Sequence, residues 1–508
     1  MRAEGGRTRS RACLGIRGAP WRWDPPPWCN SLMPVARSEA ATETSPETLT
    51  GVSSTQSPDA SELAFVSAQP GERFWPSEPA SGRGRSHGTS SHHAFDRWFR
   101  YPAGFASDYV GLLLDRLQVE SGTVVDCFTG SGVTGTAARA RGLGFAGIEA
   151  HPLIAGLARL KLTPSATGQA VRDLGARIGA SAGSAIESAP EGWQRVLEGE
   201  PDLVRRSFAD ETLCALVSLR QAVVAHATDP AAEYLKWALL ASLRDVAQVK
   251  VGWPYQRPAV SRKPRHTDVV KRFQARAFAI ASDLDSAALD ASASLTAQVV
   301  TGDSRDSAAW AQLSGSGTAC VSSPPYLNNF DYADATRLEL YFWGDVTTWG
   351  DMCREVRVDM VTATTQQSSV GEKRDALDVL RGRVAIHPTP AKEIVALVEG
   401  LTTLKKERQK RSKEYDQVAP AYFVAMWHIL QNLHDFLESG SKAVWLVGDS
   451  APYGVYIDTP RLIGQMSEAV GFTFTEDVHL RARGDRWPKN TDRHNVKLAE
   501  RLIVMEKP

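Results

Sequence analysis

TVVDCFTGSGVTGTAARARGLGFAGIEA, residues 123–150, is the stretch that decides the fold. The apolar run TVVDCF reads as a short buried strand, TGSGVTG as a glycine turn and TAARARGL as a helix. GFAGIEA reads as a second strand ending at Glu149, and HPLIAGLARLKL after it as a second helix. Strand, turn, helix, strand and helix within about 40 residues open a doubly wound parallel sheet. The expected class is α/β, with a Rossmann-like sheet.

Outward from this core the texture changes. Residues 1–90 are rich in Arg, Gly and Pro, then in Ser, Thr, Glu and Ala, with no lasting apolar period, so a disordered leader is expected. Met33 offers an alternative start within it. Residues 91–164 carry FRYPAGF and a helix with Val110, Leu113, Leu114 and Leu117 on one face, then the core motif. Residues 165–295 read as a helical insertion. Strand signals return in 296–508 with AQVVTGD, TACVSSPPY, KAVWLVGD, FTFTEDVHL and ERLIVMEK. Within that part, 345–415 is polar and a candidate DNA-recognition segment.

Composition bounds the function. Hydrophobic residues are 43% and charged residues 23%, which excludes disorder throughout, collagen and coiled coil. Lys+Arg and Asp+Glu are both 58, so any contact with a polyanion must come from local patches. No apolar run reaches about 18 residues, so no membrane span is expected. The six cysteines, Cys13, Cys29, Cys127, Cys214, Cys320 and Cys353, form no CxxC pair. That spacing argues against structural zinc and against a disulfide framework, and it fits a reducing cytoplasm.

Asp126, Phe128, Gly130 and Gly132 form D-x-F-x-G-x-G at a strand end. Glycines let a backbone turn sharply and let a ligand approach closely. Glu149, at the end of the next strand, is placed to accept both hydroxyls of a ribose diol. Gly130, Gly132 and Gly135 also satisfy G-x-G-x-x-G, so a dinucleotide such as NAD stays open, whereas no Lys-Ser/Thr follows to make a P-loop. Asp126 favours S-adenosyl-L-methionine, because an acid there faces an amino group well and repels a pyrophosphate.

Ser323, Pro324, Pro325 and Tyr326 lie at a second strand end. Two prolines stop the strand and stiffen the loop. The Ser323 hydroxyl and the Pro324 carbonyl then form paired acceptors, with the Tyr326 ring as a stacking plate. Such a loop suits an exocyclic amine on an aromatic base: holding its hydrogens frees the lone pair for in-line attack on a methyl sulfonium. A base in a duplex must be flipped out to reach it.

With these motifs in place, the chain resembles the amino-methylating DNA methyltransferases, the N4-cytosine and N6-adenine group. DCFTGSG, Glu149, SSPPY, FRYPAGF and VWLVGDS carry the likeness, over roughly residues 93–505. The resemblance implies an S-adenosyl-L-methionine-dependent enzyme on double-stranded DNA, with a cognate restriction nuclease as associate. Ser before Pro-Pro points to cytosine N4 first and adenine N6 second. It also implies that Asp303 lies near the cofactor's adenine ring; an ordinary strand-end turn is the plainer reading. Cys127 stands where the family usually has Pro and is expected only to pack beside the cofactor. The cofactor motif precedes the catalytic one, unlike the order in many N4-cytosine enzymes, and the two are about 190 residues apart.

Other readings remain: an NAD-dependent oxidoreductase, which leaves SPPY unexplained; a methyltransferase of RNA or of side-chain amides; and a DNA-binding protein with a vestigial cofactor site. Asn328, Asn329, Asp331 and Tyr332 are candidates for contact with the base. Arg257, Arg262, Lys263 and Arg265 with Trp253 and Tyr255, and Lys405, Lys406, Arg408, Lys410 and Arg411, are candidate phosphate surfaces. Arg481 and Arg483 are candidates for the base pocket. Arg337 and Glu339 are expected on a helix with Leu338 and Leu340 inward, and His387, His428 and His494 in structural roles.

Overall fold

The computed structural model describes residues 93–101, 105–188, 193–249, 268–288, 296–328, 331–365, 370–408, 414–483 and 497–508. The expected leader, the basic loop from Trp253 to Arg265, Asn329, Lys410, Arg411, His494, Cys13 and Cys29 lie outside the described residues.

Seven strands make one sheet: β1 Thr123–Asp126, β2 Gly144–Glu149, β3 Ala297–Thr301, β4 Gly317–Ser322, β5 Leu437–Gly448, β6 Thr473–Arg483 and β7 Leu498–Glu506. Their order is β3-β2-β1-β4-β5-β7-β6. β1 to β5 pair in parallel, and β7 runs antiparallel to both β5 and β6. The α/β class is therefore present, and the mostly parallel open sheet is compatible with a Rossmann-like fold.

Successive strand residues face opposite ways, and the two faces are both covered. Val124, Val321, Val444, Leu446, Leu502 and Val504 pack under the helices Ser107–Leu117 and Val133–Arg139. Val125, Cys320, Trp445, Val447 and Ile503 pack under a second layer that includes Tyr415–Phe436 and Thr459–Ala469. The helix Pro388–Glu407 buries Ile394, Val398 and Leu401 in that layer, so part of the polar 345–415 segment is core.

The described residues between β2 and β3 are mainly helical, as their spaced apolar residues predict: Gly168–Ser188, Asp210–Ala225, Pro230–Val246 and Val269–Ala288 are the long helices among them. They do not close on themselves. Tyr234, Trp237 and Phe273 share one core with Leu153, Ile154 and Leu157 of the helix Pro152–Leu162, and with Leu338 and Phe342 beyond β4. Asp283 of the insertion accepts from the Phe95 N–H, from Trp98 Nε1 at 2.8 Å and from Arg97. Buried Lys161 lies near Asp283 and Asp96, and desolvation lowers it to about 8.

Tyr415–Phe436 begins before its internal Pro420, where the pattern from Ala421 onward alone predicts a later start. Burial of Tyr415, Val418 and Ala419 outweighs the hydrogen bond that proline removes. Among the described residues, no helix is long and apolar enough to cross a membrane.

Candidate functional site

The strand order reverses direction at β1 and β4, which pair through Val124 with Ala319 and Val125 with Cys320. In open α/β sheets ligands bind outside the carboxyl ends of the strands at such a switch point. β1 ends on Asp126 and β4 delivers Ser323, so residues remote in sequence become neighbours. Ser322 Oγ donates to Asp126 Oδ1 at 2.6 Å, and the Phe128 N–H donates to the same oxygen at 3.0 Å.

The glycine turn wraps onto β2. The Gly130 N–H donates to Glu149 Oε2 at 2.7 Å and the His151 N–H to Oε1 at 2.8 Å, leaving each carboxylate oxygen one further acceptor position. Gly130 and Gly132 have φ of 51° and 84°, in the left-handed region. A Cβ on Gly132 would stand 3.1 Å from the Ala158 backbone, so the turn also needs a glycine for the approach of Pro152–Leu162.

One cavity opens between the two motifs, with about 850 Å³ of empty space counted out to its mouth. Asp126, Phe128, Gly130, Glu149, Asp303, Ser323 and Pro325 all line it. Tyr101 and Phe105, from the FRYPAGF segment, close one side, and Tyr332 sits 6.3 Å from Tyr101, ring centre to ring centre. Cys127 lines it too; burial holds its thiol well above the ordinary range and so protonated.

The lining is acidic. Asp126, Glu149, Asp303 and Asp359 are all in it, and among the described residues no Lys, Arg or His lines it. Burial raises Asp126 to about 6, against hydrogen bonds from Ser322, Thr134 and Phe128. Burial raises Glu149 to about 7, with the Asp126 charge adding to it. Asp303 differs: Arg305 Nε lies 2.7 Å from its Oδ2, so this strand end carries its own counter-ion while still facing the cavity. Such a space accepts a cationic or neutral ligand and disfavours an anionic one.

Ser323 Oγ gives its hydrogen to the Leu446 carbonyl at 3.0 Å, so toward the cavity it can only accept. Pro324 and Tyr326 are not in the wall. The Tyr326 ring is buried behind it, with the Arg483 guanidinium 4.7 Å over its centre. The stacking plate expected of Tyr326 is thus covered on one face here. Arg481 pairs with buried Glu500.

Of the remaining candidates, Asp331 is buried in an ion pair with Arg357, and Asn328 donates its N–H to Ala363 O at 2.8 Å. Glu339 pairs with Arg244 while Leu338 and Leu340 turn inward. Lys405 is tied to Asp416, and Arg408 covers the Tyr453 ring. Thr129, Ser304, Asp359, Met360 and Val361 also line the cavity without having been expected there. Ser304, next to Asp303, was within reach of sequence reasoning; nothing local marks Met360 and Val361, which are brought in by the turn after Met352–Arg357.

No protein-family profile and no curated protein matches the chain. Fold and site together define an open α/β sheet protein with an acidic cavity at its switch point.

Proposed function

We propose that this chain is an S-adenosyl-L-methionine-dependent DNA methyltransferase that methylates the exocyclic amine of a flipped base, cytosine N4 first and adenine N6 second. The observation that carries the reading is one cavity shared by the D-x-F-x-G-x-G turn and the Ser-Pro-Pro loop, with four carboxylates and no basic side chain among the described residues of its wall.

That donor set fits the cofactor. Glu149 has acceptor capacity left for a ribose diol, and Asp126 supplies charge for an amino group. Phe128, Tyr101 and Phe105 offer aromatic walls for the purine and the methylene chain of the cofactor, with Asp303 at the far strand end. S-adenosyl-L-methionine supplies an electrophilic methyl group with a good leaving group. The chain's own part is orientation: the Ser323 hydroxyl, which lines the cavity with its own hydrogen given to Leu446 O, accepts an amine hydrogen and so helps hold the nitrogen lone pair toward the cofactor. A neutral thiol at Cys127 is no nucleophile, so attack on ring carbon is not part of this scheme.

The NAD reading meets Asp126 as an obstacle, because a pyrophosphate placed at the glycine turn would face it with no basic side chain among the described residues of the wall. The sheet also departs from the all-parallel order 3-2-1-4-5-6 typical of dinucleotide domains, since antiparallel β7 is inserted before β6. Double-stranded DNA as substrate, a cognate restriction nuclease as associate and a cytoplasmic setting follow from the resemblance and stand as part of the proposal.

The test is incubation of the protein with isotopically labelled cofactor and DNA, digestion to nucleosides, and mass spectrometry. Labelled N4-methylcytosine is expected. Labelled N6-methyladenine would move the target to the second base, and label in neither nucleoside would overturn the reading.

A further inference from the structure

Gly448 ends β5 where three elements converge. A Cβ there would overlap both Arg483 Nη1 and Tyr326 Cδ2, so these two side chains fill the space that the missing side chain leaves. Arg483, on β6, sends Nη1 to the Asp449 carbonyl at 2.8 Å. Its Nε lies 3.9 Å from Glu500 Oε1 on β7, and its guanidinium carbon stands over the Tyr326 ring, 4.7 Å from the centre. The Arg483 side chain is only 8% exposed. At the other end of the loop, Ser323 is tied to Leu446 O on β5.

We infer that Arg483 is a positioning residue, which fixes the Ser-Pro-Pro-Tyr loop by clamping Tyr326 against the end of β5. The inference rests on the methyltransferase reading and adds a residue that does not line the cavity. A planar guanidinium can stack on the ring and bond the Asp449 carbonyl at once; an ammonium keeps the charge and loses the stacking. Loosening the clamp leaves the cofactor wall intact and lets the Ser323 acceptor drift. Displacement of reacting groups by about 1 Å can cost a factor of about 100 in rate.

The experiment compares the full-length protein with Arg483→Ala, Arg483→Lys, Gly448→Ala and Arg501→Ala. Arg501 sits on β7 beside Glu500 and pairs with Asp477 and Asp458 rather than with Tyr326, so it reports general damage to this sheet edge. Single-turnover methyl transfer at saturating DNA and cofactor, cofactor Kd by calorimetry, and Tm are measured for each. Arg483→Ala and Gly448→Ala are expected to lose at least about tenfold in rate with Kd within about twofold of the parent. Arg483→Lys should recover little of that loss, and Arg501→Ala should keep its rate at a comparable drop in Tm. A rate for Arg483→Ala within twofold of an active parent, or an equal rate loss in Arg501→Ala, overturns the role of Arg483 alone. A parent that transfers no methyl group removes the underlying reading, and this inference with it.

Discussion

Ser323 and Glu149 separate the two halves of the proposed chemistry. Ser323 contributes an acceptor and touches no cofactor-binding motif residue in the hydrogen bonds described. Ser323→Ala is therefore expected to lower methyl transfer by at least about a hundredfold while leaving cofactor Kd within about twofold, measured by label transfer and calorimetry. Glu149→Ala is expected to do the reverse, with cofactor affinity falling about tenfold or more, since it removes both charge and acceptors. Glu149 also makes a pH prediction. Burial lifts its carboxyl from an ordinary 4.5 to about 7, so the folded chain holds this proton more tightly than the unfolded one. Its contribution to stability is complete below about 4.5 and is lost as pH rises through about 7, a change on the order of 3 kcal/mol. Tm of the ligand-free protein should fall across that window, and Glu149→Gln should flatten the fall. A cationic ligand restores the charged form, so protein affinity for S-adenosyl-L-methionine should strengthen from pH 6 to pH 7, with protons released on binding. Equal affinity at both pH values would remove Glu149 from the cation's surroundings.

At the scale of elements, the glycine turn and the strand that follows it do the positioning. Gly132 is both left-handed and in tight contact with Ala158, so Gly132→Ala adds backbone strain and pushes the helix Pro152–Leu162 away. The expected cost is about 1–2 kcal/mol, together with weaker cofactor binding, read from urea midpoints and calorimetry. A stability equal to the parent's would mean that the turn relaxes freely. These elements were legible in the sequence because their cause is local. A glycine turn after TVVDCF and a double proline after TACVS stop a strand wherever the chain goes next. Asp126, Glu149 and Ser323 are at strand ends as their neighbours predict. Met360 and Val361 were not legible, because their place in the wall comes from a distant turn. The covered ring of Tyr326 was not legible either, since Arg483 reaches it only after β6 and β7 have paired. Pro420 inside a helix shows the same limit: tertiary burial overrode a strong local stop signal.

Across the whole molecule, the helical insertion is joined to the sheet by buried charge as well as by apolar packing. Asp283 holds the Phe95 N–H, the Trp98 indole and Arg97, with Lys161 and Asp96 nearby. Asp283→Ala strands several of these donors in a buried place, and a loss of about 3 kcal/mol or more is expected in equilibrium unfolding. If insertion and sheet behaved as independent domains, that substitution would split the transition in two; one cooperative step at a lower midpoint is expected from the shared core. The periodicity of residues 165–295 foretold helices, but not that they would share their core with Leu153 and Phe342, because amphipathic spacing shows which face is buried and not against what.

The order of synthesis gives the sheet topology one more meaning. Among the described residues, those in the wall of the cavity fall between Tyr101 and Val361, whereas the groups that steady the proposed acceptor loop, Leu446, Gly448, Arg483 and Glu500, come later. A ribosome thus delivers the wall of the proposed cofactor site first and the brace of the proposed acceptor loop last. A chain interrupted in between would lack Trp445 against Phe128 as well as Arg483 over Tyr326, so the later strands complete both ends of the cavity.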